Sequence, residues 1–200
     1  MNKFCTLLIL ILVGCSSSSE NALSINALFS DNMIVQQNAK LNIWGKAPQG
    51  SLIHVSSSWG EEASTTTTPD GKWILTIATP EVDHKPHQLM VSSKNETIKI
   101  QNILLGEVWL ASGQSNMEMP LKGFNYTQIK ENVEGAAQEM SEANYPKIRM
   151  FKVNRNIAFE QQDRLEGQWI ESFPETVKSF SAVGYFFAKK LHLELDVPIG

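Results

Sequence analysis

Gly106-Glu107-Val108-Trp109-Leu110-Ala111-Ser112-Gly113-Gln114-Ser115-Asn116-Met117-Glu118-Met119-Pro120 opens on a compact apolar run and breaks into a turn of small and amide residues. An apolar strand that ends in such a turn reads as one strand of an open α/β sheet, whose ligands gather at the carboxyl ends of the strands. Ser115 then stands at that rim. Gly113 lets the backbone turn tightly, and the outward amide hydrogens of the turn suit a developing oxyanion. A serine hydroxyl is a poor nucleophile alone and needs a base beside it. Residue types alone leave a plainer reading open, in which Ser112 and Ser115 cap a loop or helix. The Gly-x-Ser-x-Gly elbow is not met, because position 117 is methionine. No P-loop is present, and no Ser-x-x-Lys brings a lysine near Ser115.

Downstream, Thr127 to Ser141 has helical spacing through Ile129, Val133, Ala136, Ala137 and Met140. Ile148 to Val153 reads as a second strand. Phe180 to Leu195 reads as an amphipathic helix with Val183, Phe186, Phe187 and Leu191 on one stripe. Val197-Pro198-Ile199-Gly200 begins a third strand. Strand, helix, strand, helix, strand is the start of a parallel α/β sheet, and two or three strands cannot cover the faces of their own helices. Lys122 to Tyr126 is expected to be a loop near the turn. Phe159 to Gly167, with charges of both signs, is expected to be a solvated connection.

Upstream, residues 23–103 change character. Met33–Gln37, Leu41–Trp44, Leu52–Val55, Trp73–Ile77 and Gln88–Val91 are short β-branched or aromatic runs. Pro48-Gln49-Gly50, Pro69-Asp70-Gly71 and Asp83 to Pro86 separate them as turns. The threonines 65–68 suit a solvent-facing edge strand, and Trp59 and Trp73 suit the core. Strands recurring about every ten residues predict a small antiparallel β-sandwich. The expected fold is thus β plus α/β. A sandwich spans 23–104, and the truncated start of an α/β domain spans 105–200.

The first residues read as an address. Lys3 precedes an almost wholly apolar run, Phe4 to Val13. Ten helical residues span about 15 Å, half of a bilayer core of about 30 Å, so the run is a signal-peptide core and not a membrane span. Leu12-Val13-Gly14-Cys15 resembles a bacterial lipobox, with cleavage before Cys15 and acylation of its sulfur. Residues 15–22 then form the lipidated cysteine and its tether. Removing residues 1–14 takes away Lys3 and moves the net charge from −4 to −5. A chain anchored in this way belongs in the bacterial envelope, with a lean toward the outer membrane from Ser16.

The chain has 200 residues, 17 Lys plus Arg against 21 Asp plus Glu, 42% hydrophobic and 19% charged residues. That composition excludes collagen-like, coiled-coil and highly charged disordered chains, and the acidic balance argues against a nucleic-acid partner. The two cysteines, Cys5 and Cys15, cannot build a disulfide scaffold.

Residues 106–120 resemble the nucleophile block of SGNH (GDSL-like) hydrolases in the Gly-Gln-Ser-Asn form of the sialate O-acetylesterase family. The likeness continues through Leu28–Gln37, Trp44-Gly45 and Asp70-Gly71-Lys72-Trp73 upstream. Downstream it takes in Gly167-Gln168-Trp169, Ser181–Phe187 and Val197–Gly200. It implies a flavodoxin-like SGNH sheet and removal of O-acetyl groups from sialic acid or related glycans. It implies that Ser115 is the nucleophile and its amide one oxyanion donor. Gly113, Gln114 and Asn116 would shape the loop, and no metal or organic cofactor is needed.

The family's remaining oxyanion glycine and asparagine, and its Asp-x-x-His block, have no counterpart here. None of His54, His84, His87 and His192 lies three residues after an aspartate. The first three are expected to be surface or strand residues, and His192 a helix-end residue whose charged form suits that end. His84 and His87 lack the third ligand that a metal site requires. Losing the base of a serine triad costs about 10⁴-fold in rate. The chain by itself is therefore expected to be nearly inactive, the amino-terminal part of a longer esterase. An acetylxylan-type esterase and a non-catalytic glycan-binding or structural surface lipoprotein stay open as alternatives.

Overall fold

A computed structural model describes residues 22–94, 96–125, 130–131, 133–160 and 162–200. The leader and Cys15 lie outside the described residues. The strands and helices run in the order β1 (Ser24–Ile25), β2 (Ile34–Gln36), β3 (Ala39–Lys46), β4 (Leu52–Ser57), β5 (Glu62–Thr66), β6 (Lys72–Thr79), β7 (His87–Ser93) and β8 (Glu96–Gly106). They continue with α1 (Ser115–Glu118), β9 (Phe124–Asn125), β10 (Lys130–Glu131), α2 (Ala136–Glu142), β11 (Tyr145–Phe151), β12 (Trp169–Ser172), α3 (Pro174–Val177) and α4 (Ala182–Leu195).

Period-two alternation builds the first eight strands. In β6, Trp73, Leu75, Ile77 and Thr79 point inward while Lys72, Ile74, Thr76 and Ala78 face out. In β7, His87, Leu89, Val91 and Ser93 do the same. Two sheets result, β2-β8-β7-β4-β5 and β1-β3-β6. Ile43, Ile53, Val55, Leu89, Val91 and Ile103 between them are wholly buried, each worth about 1.5–3 kcal/mol of apolar burial. The expected antiparallel sandwich needs one correction: β2 runs parallel to β8, with Ile34 opposite Leu104. The cause is the tight turn at Asn38 (φ +50°). It sends β3 into the other sheet, so β2 takes the free edge of β8 without a hairpin.

β8 runs unbroken through residues 104 and 105 and carries the chain toward the Gly-Gln-Ser-Asn turn. Parallel bridges join Glu107 to Ile199 and Ile148 to Ile199. The segment at 198–200 therefore lies between the strand leading to the turn and β11, with β12 antiparallel on the far side of β11. Gly106 permits this insertion, because a Cβ there would stand 2.1 Å from the Pro198 carbonyl oxygen. Gly106→Ala is expected to cost about 1–3 kcal/mol by overpacking, read as a lower urea midpoint. An unchanged midpoint would mean that residues 197–200 do not need this close approach.

Three expectations in this half are corrected. Val108 to Ala111 is not a full strand. Only Glu107 and Trp109 pair with 198–200, and Leu110 is 94% exposed. The helix expected from Thr127 begins at Ala136, since Gly135 sits in the left-handed region at φ +70° and starts it; residues 126–129 and 132 lie outside the described residues. In α4 the buried side chains are Ala182 and Tyr185, whereas the expected stripe at Val183, Phe186 and Phe187 is exposed. The phenol of Tyr185 explains the difference, because it donates to Glu139 Oε1 at 2.7 Å and turns that face inward.

Arg149 joins the two halves. It is 4% exposed. Its Nε donates to the Pro146 carbonyl at 3.0 Å, and its Nη1 to the carbonyls of Asn32 at 3.0 Å and Asn102 at 2.5 Å. Its Nη2 meets Glu171 Oε1 at 3.0 Å. Asn32 and Asn102 both hold left-handed backbone, at φ +66° and +54°, and Asn102 Nδ2 donates to Asn32 Oδ1 at 2.7 Å. A second core gathers Leu121, Val177, Phe180 and Tyr185, with Met150 and Ile170 packed against it.

Glu139 anchors α2 to α4. It accepts from Tyr185 and from Lys189 Nζ at 2.5 Å. Burial pushes its carboxyl up, but the Lys189 and Tyr185 bonds outweigh that and hold its pKa below the ordinary value. A depressed carboxyl contributes stability above its unfolded pKa and loses it as pH falls through the folded one. Glu139→Gln is therefore expected to lose about 1–3 kcal/mol at neutral pH. The gap from wild type should close below the ordinary carboxylate range. A constant gap from neutral to acid pH would rule out the carboxylate as the source.

Candidate functional site

Ser115 is the first residue of α1 and is exposed, as are Ser112, Gly113, Gln114 and Asn116. The turn is fixed from below. The amide of Glu118 donates to the Gln114 carbonyl at 3.1 Å and that of Met119 to the Ser115 carbonyl at 2.9 Å. Ala182 N–H donates to the Met119 carbonyl at 2.8 Å, and Leu121 N–H to the Phe180 carbonyl at 2.8 Å. The turn thus rides on the start of α4. Ser181 works both ways there: its Oγ accepts the Gly184 amide at 3.2 Å, capping α4, and faces Met117 Sδ at 3.5 Å. Met117 in turn lies under Gly113, where a Cβ would come within 3.1 Å of the Met117 Cβ. The methionine that breaks the elbow pattern is therefore part of the support.

Beside Ser115 lies an open depression of about 450 Å³, lined by Asn116, Met119, Val133, Ala182, Val183 and Phe186. Trp109 and Phe187 meet edge to face at 5.2 Å, and Glu118 pairs with Arg155. The lining of the depression is largely apolar, which suits an acyl group more than a charged one.

No hydrogen-bond partner of Ser115 Oγ occurs among the described residues, and the histidines are engaged elsewhere. His54 meets Ser64 at 3.0 Å, His84 meets Lys147 at 3.3 Å, and His192 meets the Val197 carbonyl at 2.7 Å near the end of α4. His87 is a strand residue, as expected, and opens β7. It is buried at 8% exposure, with Ser58 Oγ and Asp83 Oδ1 each 3.0 Å from opposite ring nitrogens. Burial raises the Asp83 carboxyl, but the Lys85 amide and His87 together leave it below its ordinary value. Asp83 and His87 are four residues apart, a spacing that a search for Asp-x-x-His passes over. The trio has the residue types of a hydrolase triad. Yet the Ser58 hydroxyl also accepts the Gln88 amide at 3.0 Å and closes the end of β4 onto β7, so its role is structural. No cluster of three or more metal-ligating side chains exists among the described residues.

No family model matches the chain. It is 29% identical over 195 residues to the sialate O-acetylesterase of Rattus norvegicus, covering 87% of this chain and 34% of that protein. Against the Homo sapiens sialate O-acetylesterase it is 27% identical over 189 residues, covering 86% and 34%. In fold it resembles a carbohydrate acetylesterase from Xanthomonas citri, with a TM-score of 0.80 and 31% identity over 88% of this chain and 39% of that one. The chain spans about a third of the length of the curated relatives it matches. The chain is thus similar in sequence to sialate O-acetylesterases and in fold to a carbohydrate acetylesterase.

Proposed function

We propose that this chain carries the acyl-accepting part of a serine esterase that removes O-acetyl groups from sialic acid or related glycans. The observation that carries the reading is Ser115. It is an exposed hydroxyl beyond a strand end, held by α4 and bordered by an apolar depression, in a chain whose relatives are acetylesterases. In the reaction, Ser115 Oγ attacks the acetyl carbonyl while a base takes its proton. The sugar oxygen leaves with a proton, and water hydrolyses the acetyl-serine. The amides of Ser115 and Asn116 have no backbone acceptor among the described residues, which suits a role as oxyanion donors. The reading requires a base beside Ser115 Oγ, and the four histidines are engaged elsewhere among the described residues.

The parallel bridges among residues 107, 148 and 199 favour a flavodoxin-like SGNH sheet as the completed architecture. The fold likeness to a carbohydrate acetylesterase keeps other acetylated carbohydrates within the substrate range. Cys15 acylation would tether the protein in the bacterial envelope. Metabolic labelling with an alkyne fatty acid is expected to mark the wild type and not Cys15→Ser, and a label that persists in the variant would refute the anchor. The esterase reading is tested with p-nitrophenyl acetate on the full-length gene product, against Ser115→Ala.

A further inference from the structure

Gln36, the last residue of β2, and Gln37 beside it turn their side-chain amides onto one carboxylate. Gln36 Nε2 donates to Glu107 Oε2 at 2.9 Å, and Gln37 Nε2 to Glu107 Oε1 at 2.8 Å. Bonds to an ionised acceptor are roughly twice as strong as neutral ones. The carbonyl ends of both amides are used as well. Gln36 Oε1 accepts the Val108 amide at 2.9 Å, and Gln37 Oε1 accepts the Val82 amide at 2.9 Å. The backbone that presents these side chains is itself pinned. The Gln36 carbonyl accepts the hydroxyl of the buried Thr79 at 2.6 Å, and the Gln37 amide donates to the Gly106 carbonyl at 2.8 Å.

Pairing of β2 with β8 ends where Gln36 lies opposite Gly106. The Gln36 side chain offers one donor and one acceptor, as a peptide group does, and carries the pairing on to Glu107 and Val108. On the other edge, the amides of Glu107 and Trp109 donate to the Pro198 and Gly200 carbonyls, each at 2.9 Å. Residues 107–109 are therefore held from both sides. Among the described residues, no backbone N–H from Leu110 to Gly113 has a backbone acceptor. The stretch 107–109 is thus the last anchored part of the chain before the Ser115 turn. It also carries Trp109, whose ring meets Phe187 on α4, the helix on which that turn rides. Misplacing a reacting group by about 1 Å can cost about 10²-fold in rate.

We propose that Gln36, Gln37 and Glu107 are positioning residues for the nucleophile, through which the sandwich fixes the strand that delivers Ser115. This role rests on Ser115 as the acyl acceptor. An exchange of groups tests it. In Gln36→Glu, two carboxylates face each other across the 2.9 Å contact. In Glu107→Gln, two amide N–H groups meet there instead. With both changes together, the amide introduced at 107 donates to the carboxylate introduced at 36 and accepts from Gln37. That carboxylate still accepts the Val108 amide, so each bond around the 107 side chain is remade. Hydrolysis of p-nitrophenyl acetate is measured on the full-length gene product. With KM nearly constant, kcat is expected to fall about tenfold in Glu107→Gln and about 10²-fold in Gln36→Glu, and to return to within about threefold of wild type in the double variant. The Trp109 indole ¹H–¹⁵N signal, assigned by its loss in Trp109→Phe, should shift in each single variant and return in the double one. Should Gln36→Glu fail to fold, Glu107→Gln and the double variant carry the comparison. Unchanged kcat in the single variants, or a double variant no more active than Glu107→Gln, would overturn the proposal. A change confined to the urea midpoint, with kcat and the Trp109 signal unmoved, would overturn it too. Activity that survives in Ser115→Ala would sink the nucleophile reading and this role with it. An inactive Ser115→Ala beside fully active single variants would sink this role alone.

Discussion

Arg149→Met is expected to destabilise the protein by about 3–5 kcal/mol, the cost of breaking a buried charge network from one side. The residue is 4% exposed and spends its donors on three backbone carbonyls, the Asn102 side-chain oxygen and one carboxylate. Methionine fills much of the volume but leaves the Asn32 and Asn102 carbonyls without this partner and Glu171 without its cation. Those two carbonyls face Arg149 because both asparagines adopt left-handed backbone. Arg149→Lys is expected to rescue little, since a single ammonium cannot span a planar fork of acceptors. Chemical denaturation of both variants against wild type is the measurement. A loss below about 1 kcal/mol, the scale of an exposed ion pair, would show that the two halves do not depend on this residue.

Ser115→Ala is expected to lower deacetylation by the full-length gene product by about 10⁴-fold or more, the loss typical of a serine nucleophile. Binding should be little changed, because Ser115 Oγ makes no hydrogen bond to the described protein and its removal disturbs no support. The fall should therefore appear in kcat with KM nearly constant. Met117→Ala offers a contrast. It removes the packing under Gly113 and the Ser181 contact, so it should loosen the turn and lower activity partially. Activity that survives in Ser115→Ala would remove this hydroxyl from the reaction.

The sandwich was legible because each buried strand position repeats every second residue, as Trp73, Leu75 and Ile77 do. The parallel pairing of β2 was not, since strand direction at an edge depends on which sheet the following strand joins. The rim turn was legible from a glycine, an amide and a serine after an apolar run. Its support by Met117 and Ser181 was not, because those residues meet only once α4 is packed. The stripe on α4 misled for a physical reason. Apolar spacing identifies a face that can be buried, and in the described residues Val183 and Phe186 border the open depression instead. Arg149 carries no local signal at all, because its acceptors come from positions 32, 102, 146 and 171.

The most direct test of the acyl-accepting hydroxyl is mass-spectrometric mapping of a fluorophosphonate adduct on the full-length gene product. The account predicts one modified serine, Ser115, and no adduct in Ser115→Ala. An adduct on a different serine, Ser58 beside His87 included, or undiminished labelling of the variant, would contradict it.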